Sequence, residues 1–156
     1  MKRKKNIGIV SHDNRKSDML GWVSWNWKEF ISHSLVCTGT TGKLVEELLW
    51  DKCKENNEVP PSMTLLKSGP LGGDQQLGAM ISEGKVDMLF FFWDPMQPQP
   101  HDVDVKALLR IAVLYNIPTA SNRSTADFLI SSPLFHDEYM PIVKDYSAYI
   151  TRDVNI

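Results

Sequence analysis

The sequence predicts an α/β fold in which five mostly parallel strands are joined by crossover helices. Short apolar runs alternate with helix-length amphipathic stretches, the pattern of strands linked by helices. The runs are continuously apolar instead of alternating, which suits strands covered on both faces. A cluster of glycine, hydroxyl and charged residues follows four of the runs, all on one predicted edge of the sheet.

Taken in order, Ile7–Val10 is the first strand, and Leu20, Val23, Trp27 and Phe30 then recur at helical spacing as the core face of one helix. Leu35–Cys37 is the second strand, and Thr38-Gly39-Thr40-Thr41-Gly42 leads into a helix. Asp51 to Pro61 is charged, polar and closed by Pro60-Pro61, and reads as a surface loop. Met63–Leu66 is the third strand; Leu77, Met80 and Ile81 mark the helix after it, and Met88–Phe92 is the fourth strand. Asp102 is suited to cap the helix that runs through Val105, Leu108, Leu109 and Ala112. A short strand follows around Pro118–Ala120, and Ser124 with Asp127 reads as a capping box. Beyond Ser132-Pro133 the pattern weakens, and Tyr146 to Arg152 reads equally as a last helix or as an arm on a neighbouring subunit.

The 156 residues, 42% hydrophobic and 23% charged, fit a single domain spanning 1–156. Seventeen basic against nineteen acidic residues give a formal charge of -2, so no global field favours nucleic acid or an anionic membrane. An anion site must therefore be local. The basic start, Met1 to Lys5, precedes an apolar run too short for a signal peptide or a membrane span, and a cytoplasmic protein is expected. Cys37 and Cys53 lack metal-ligand spacing and read as reduced structural thiols, with neither a disulfide framework nor a zinc site. The five tryptophans and Phe90-Phe91-Phe92 read as core and interface packing, not as a platform for bases. His33 and His136, without convergent partners, read as surface residues.

In an open parallel sheet ligands bind outside the carboxyl ends of the strands, where helix N-termini direct unpaired N–H groups inward. The loops there are Ser11 to Lys16, Thr38 to Gly42, Ser68 to Asp74 and Trp93 to Asp104. Thr38, Thr40 and Thr41 supply hydroxyls beside glycines that permit close backbone approach, and Ser68-Gly69 repeats the arrangement one strand later. Lys16 adds a point charge suited to phosphate. Each loop alone also reads as an ordinary cap and turn; their co-location is what points to one phosphate cradle. Neither G-x-G-x-x-G nor G-x-x-x-x-G-K-[ST] is present, which favours a small phosphorylated metabolite over a dinucleotide. Asp74 lies at a helix start. His101 and Asp104 close a loop stiffened by three prolines, and a carboxylate beside an imidazole fixes its tautomer for proton transfer. His12 joins this group by its place at a strand end.

The segments SHDNRK, TGTTG, SGPLGGDQQLGAMISEGKVD, FFWDP, PHDVDVKALLR and TADF stand in an order and spacing that resemble methylglyoxal synthases, from about residue 6 to about 149. The resemblance implies a Rossmann-like three-layer domain, a homo-oligomer (commonly a hexamer), and no metal or organic cofactor. The reaction it implies turns dihydroxyacetone phosphate into methylglyoxal and inorganic phosphate, and inhibition by phosphate is expected because it can occupy the same cradle. Carried over by position, Asp74 is the catalytic base, His101 and Asp104 assist proton movement, and His12 orients the substrate. Lys16, Thr38, Thr40, Thr41, Ser68 and Gly69 match phosphate contacts, and Asp13 and Asp94 match supporting acidic positions. Two departures stand out: the stretch from Asp51 to Pro61 replaces a usually short turn, and Arg152 is the nearest match to an arginine that reaches a neighbour's site. The rival reading from another class is an effector-binding module like the regulatory domain of carbamoyl-phosphate synthetases; Asp74, His101 and Asp104 together favour the enzyme.

Overall fold

A computed structural model describes residues 1–151. The strands β1 (Asn6–Ser11), β2 (Ser34–Thr38), β3 (Ser62–Leu66), β4 (Met88–Phe92) and β5 (Thr119–Ala120) form one sheet in the order β3-β2-β1-β4-β5, with every pairing parallel. The helices are α1 (Lys16–Trp25), α2 (Trp27–Phe30), α3 (Gly39–Asn56), α4 (Gly73–Ser82), α5 (Asp102–Leu114), α6 (Arg123–Ile130), α7 (Pro133–His136) and α8 (Ser147–Ile150). The period of two along each strand sorts the core into two layers. Ile7, Ile9, Leu35, Cys37, Phe90 and Phe92 pack with residues of α1, α3 and α6, whereas Val10, Val36, Leu89 and Phe91 pack with residues of α4 and α5. Helices therefore cover both faces, the three-layer arrangement expected. The strand order reverses between β1 and β4, and a parallel register pairs Ser11 with Phe92 and Thr38 with Leu66. The carboxyl ends of the inner strands thus finish level, at the switch point where such sheets bind ligands.

Several expectations need correction. The helix read through Leu20 and Phe30 is two helices, because Asn26, at φ -100° and ψ 17°, leaves the helical backbone while its side-chain amide donates back to the Trp22 carbonyl, ending α1. The loop read over Asp51 to Pro61 is mostly helix: α3 continues to Asn56, with Cys53 facing the core and the charged residues facing solvent. Asn57, left-handed at φ 55°, ends it. The cap of α6 is Asn122, whose Oδ1 accepts from the Thr125 N–H at 2.9 Å, not Ser124; the cap position of α5 is His101, so Asp102 sits in the first turn instead. β3, at the sheet edge, is not covered on both faces, and Leu65 is 41% exposed. Trp25 and Trp50 are exposed, whereas Trp22 lies wholly in the core. Of the stretch from Tyr146 to Arg152, the described part forms the single turn α8, and Arg152 lies outside the described residues.

His33 is buried, contrary to the surface reading. Its Nδ1 accepts the Lys5 N–H at 3.2 Å, the Phe135 ring meets it edge-on, and Nε2 has no partner among the described residues. Burial first, then the charges of Lys5, His136 and Lys4, pull its pKa down to about 4. The unfolded chain thus binds the proton at higher pH than the native state does, and the stability this lends is present above pH ~6.5 and is lost as pH falls toward 4. A loss of about 2 to 3 kcal/mol across that window is expected in urea unfolding, and His33→Phe should flatten the slope. An unchanged slope would refute this. His136 does lie at the surface, with Nε2 3.4 Å from Glu29. Both cysteines are free and buried, and burial pushes the Cys37 thiol up to about 12. Among the described residues no helix is long and apolar enough to cross a membrane.

Candidate active site

Four loops at the carboxyl ends of the strands converge on one cleft of about 480 Å³, its open mouth included. β1 ends in Ser11, His12 and Asp13; β2 delivers Thr38 to the first residue of α3; the turn Gly69–Leu71 carries the chain from Ser68 to α4; and the segment before α5 brings Gln99 and His101. Glycines make this convergence sterically possible. Gly39, at φ 52°, has its position for a Cβ only 2.9 Å from Ser68 Cα, so the second and third loops touch backbone to backbone. Gly69 passes so close to the catalytic candidates that a Cβ there would stand 2.5 Å from His101 Nε2 and 3.2 Å from Asp74 Oδ2.

At the rim, Lys16 Nζ lies 2.6 Å from Asp13 Oδ1 and hydrogen-bonds the Thr40 hydroxyl. The hydrogen bond from Lys16 and its charge hold the Asp13 carboxyl below the usual carboxylate range. Thr38 stands at the cap position of α3 yet makes no side-chain bond to the helix, and Ser68 likewise makes none to the turn it precedes. These hydroxyls face the cleft together with the positive end of an 18-residue helix, an arrangement suited to an anion. The Thr41 hydroxyl, by contrast, is engaged inward with Ser11 Oγ at 2.9 Å, and so latches α3 to β1.

Deeper in the cleft Asp74 is 2% exposed, and neither carboxylate oxygen has a hydrogen-bond partner among the described residues. Burial raises its pKa; His101 and His12 oppose the shift and Asp104 adds to it. His101 Nε2 stands 3.6 Å from Asp74 Oδ2, close to contact but short of a hydrogen bond. His12 accepts the Asp94 N–H at Nδ1 (3.2 Å), so its neutral ring carries the proton on Nε2. Burial lowers the pKa of His12, which favours that neutral form, and Nε2–H has no partner among the described residues. An orphan acceptor pair and an orphan donor thus share one water-poor pocket, a combination fit for moving a proton.

Of the residues named from sequence, His12, Asp13, Lys16, Thr38, Thr40, Thr41, Ser68, Gly69, Asp74 and His101 line the cleft together. Asp94 and Asp104 do not. Asp94 accepts from Asn14 Nδ2 and from the Met96 N–H, each at 3.0 Å, which tethers the loop after β4 to the loop after β1; the Asn14 bond is also the main reason its pKa is lowered. Asp104 meets His101 only through a backbone bond, its N–H to the His101 carbonyl at 2.8 Å. Its side chain borders a second groove between α4 and α5, and the carboxylate beside the imidazole is Asp74. Sequence reasoning missed Gln99, which lines the cleft, and Asn14, which gives its two amide hydrogens to Asp94 and Gln97. Ser11 carried a signal, as the polar residue that closes an apolar run. Asn14 carried none.

Comparison with known proteins agrees with this geometry. Residues 27–121 match the family model described as MGS-like domain. The chain is 61% identical to the methylglyoxal synthase of Maridesulfovibrio salexigens, over 97% of this chain and 99% of that one. It is 48% identical to the methylglyoxal synthase of Hahella chejuensis, over 95% of this chain and 90% of that one. The crystal structure of methylglyoxal synthase from Elizabethkingia anophelis NUHP1 superposes with a TM-score of 0.87 at 43% identity, covering 99% of this chain and 95% of that one.

Proposed function

The chain belongs to the methylglyoxal synthase family of lyases, and from that premise we propose how its cleft acts on dihydroxyacetone phosphate. Lys16, Thr38, Thr40, Ser68, the Gly69 backbone and the N-terminus of α3 hold the phosphate, with Thr41 positioning the helix beneath it. Asp74 takes a proton from the hydroxymethyl carbon. The electron pair of that C–H bond enters an enediolate, whose oxygens accept hydrogen bonds from His12 and His101. The pair then expels the phosphate when the bridging C–O bond stands perpendicular to the enediolate plane. The two loops that grip the phosphate are what set that angle. Asp13 supports the site by orienting Lys16, and Asp94 by orienting His12.

The observation that carries this reading is the buried Asp74 carboxylate, without a hydrogen-bond partner among the described residues and 3.6 Å from an imidazole, at the foot of a cleft with a cationic rim. The test is to incubate the purified protein with dihydroxyacetone phosphate and follow methylglyoxal and free phosphate together. Equal release of both is expected, with added phosphate inhibiting competitively. Glyceraldehyde 3-phosphate formed without phosphate release would mark an isomerase, and binding without turnover an effector module. Either result would overturn the proposal.

The proposed setting is the cytoplasm, and the proposed working form is a homo-oligomer, the hexamer of the resemblance. Exposed Trp50, Phe128, Met140 and Ile142 supply the apolar surface that such an assembly covers. Sedimentation at micromolar concentration should show a hexamer; a monomer would count against it.

A further inference from the structure

Asn14 is the middle residue of the single turn Asp13–Arg15 that follows β1, and its side chain reaches across to the segment after β4. One amide hydrogen goes to Asp94 Oδ2 at 3.0 Å and the other to Gln97 Oε1 at 2.6 Å. The Met96 N–H holds Asp94 Oδ1 at 3.0 Å, so both oxygens of this carboxylate are occupied. The backbone N–H of Asp94 in turn donates to His12 Nδ1 at 3.2 Å. Residues 95–100 form neither helix nor strand and border a hollow of about 540 Å³, its open mouth included, beside Val105 and Leu109 of α5. Hydrogen bonds more than close packing therefore fix their path. Pro95, Pro98 and Pro100 restrict the backbone enough for one anchor near the middle to set the rest. The same segment delivers Gln99 and His101 to the cleft. Neither imidazole is held at both nitrogens, since His12 Nε2 and His101 Nδ1 have no hydrogen-bond partner among the described residues. The two rings, with centroids 6.1 Å apart, thus depend for their placement on the backbone that carries them.

We propose that Asn14 is a positioning residue of the active site, its one amide locking the segment after β4 so that His12 and His101 stand together beside Asp74. The inference rests on the reaction set out under the proposed function, in which both rings donate hydrogen bonds to the oxygens of the enediolate. Those bonds strengthen as charge develops on the oxygens, so their geometry governs kcat. Lys16, Thr38, Thr40 and Ser68 grip the phosphate without Asn14, and that grip governs KM. Asn14 itself touches no substrate and acts only through Asp94 and Gln97. An amide is what the position requires: aspartate has the same shape but no hydrogen to give either acceptor, and its charge would repel Asp94.

The test compares Asn14→Ala, Asn14→Asp, Gln97→Ala and the two alanine changes combined with the parent, in steady-state turnover of dihydroxyacetone phosphate. Positions 14 and 97 are exposed, circular dichroism checks that each variant folds, and either folded Asn14 variant alone suffices. Asn14→Ala should lower kcat about tenfold, the worth of a hydrogen bond to a charged group, with KM and the phosphate inhibition constant changed by less than about twofold. Asn14→Asp should be slowed at least as much despite its shape. Gln97→Ala keeps the bond to Asp94 and should lose less. The combined variant should be no slower than Asn14→Ala, because its second change breaks a bond already gone. A kcat equal to the parent's in an Asn14 variant, a rise in KM and the phosphate inhibition constant that matches the fall in kcat, or losses that simply multiply in the combined variant would each overturn the role. A parent that forms no methylglyoxal would sink the underlying reaction, and the role built on it, before any variant is compared, so the two failures are distinguishable.

Discussion

Asp74→Asn is expected to lower kcat by about 100- to 10,000-fold, the usual worth of a positioned general base. The substitution keeps size and shape and removes the basic oxygen. It should leave the fold intact and even strengthen it at neutral pH, because the parent buries a carboxylate with no hydrogen-bond partner among the described residues. The direction follows from linkage. Burial raises the native pKa of Asp74 above its unfolded value, so the native state binds the proton more readily and the ionised group opposes folding as pH rises. For the same reason the acid limb of the parent's kcat should fall above the ordinary aspartate range. Turnover and thermal midpoint measured on the same preparation decide the matter. Turnover within tenfold of the parent would remove Asp74 from the role, and a large drop in midpoint would recast it as a structural residue.

Gly69→Ala should be nearly as damaging although it adds one methyl group and removes nothing. The new Cβ would lie 2.5 Å from His101 Nε2 and 3.0 Å from its Cδ2, so the imidazole must swing away from Asp74. A displacement of about 1 Å at a reacting group costs on the order of 100-fold. Overpacking should cost about 1 to 3 kcal/mol of stability, a modest part of which relaxes with the histidine. Gly21→Ala is the control, since a Cβ there meets nothing and the position lies inside α1; it should be neutral or stabilise by about 0.5 to 1 kcal/mol. Comparable kcat in Gly69→Ala and Gly21→Ala would show that the close approach at Gly69 has no catalytic consequence.

The first four strands were legible because their evidence is local: each is built on a mainly apolar run bounded by turn residues, and the observed limits differ from the expected ones by a residue or so. The limits of the helices were less legible. Asn122 and Ser124 are both plausible caps by residue type, and only the backbone path chooses the amide that bonds the Thr125 N–H. Charged residues from Asp51 to Asn56 resemble a loop until Cys53 is seen to anchor the last turns of α3 in the core. Asn14 was invisible, because a single amide that joins Asp94 to Gln97 across the interval from β1 to β4 follows no periodic rule.

By itself the sequence determined the α/β class, the strands, the four loops that meet at one edge and nine residues that line the cleft, Asp13 being added by the family resemblance, since apolar period and turn chemistry are properties of neighbouring residues. Which carboxylate meets His101 was decided by tertiary structure alone. Asp104, three positions away, turns along α5 toward α4, whereas Asp74 reaches the imidazole from another loop because the glycine at position 69 lets the backbones close. The burial of His33 was decided in the same way, by Phe135 folding over it from the far end of the chain. Distance in space and exclusion of water depend on how whole elements pack, and no local pattern records them.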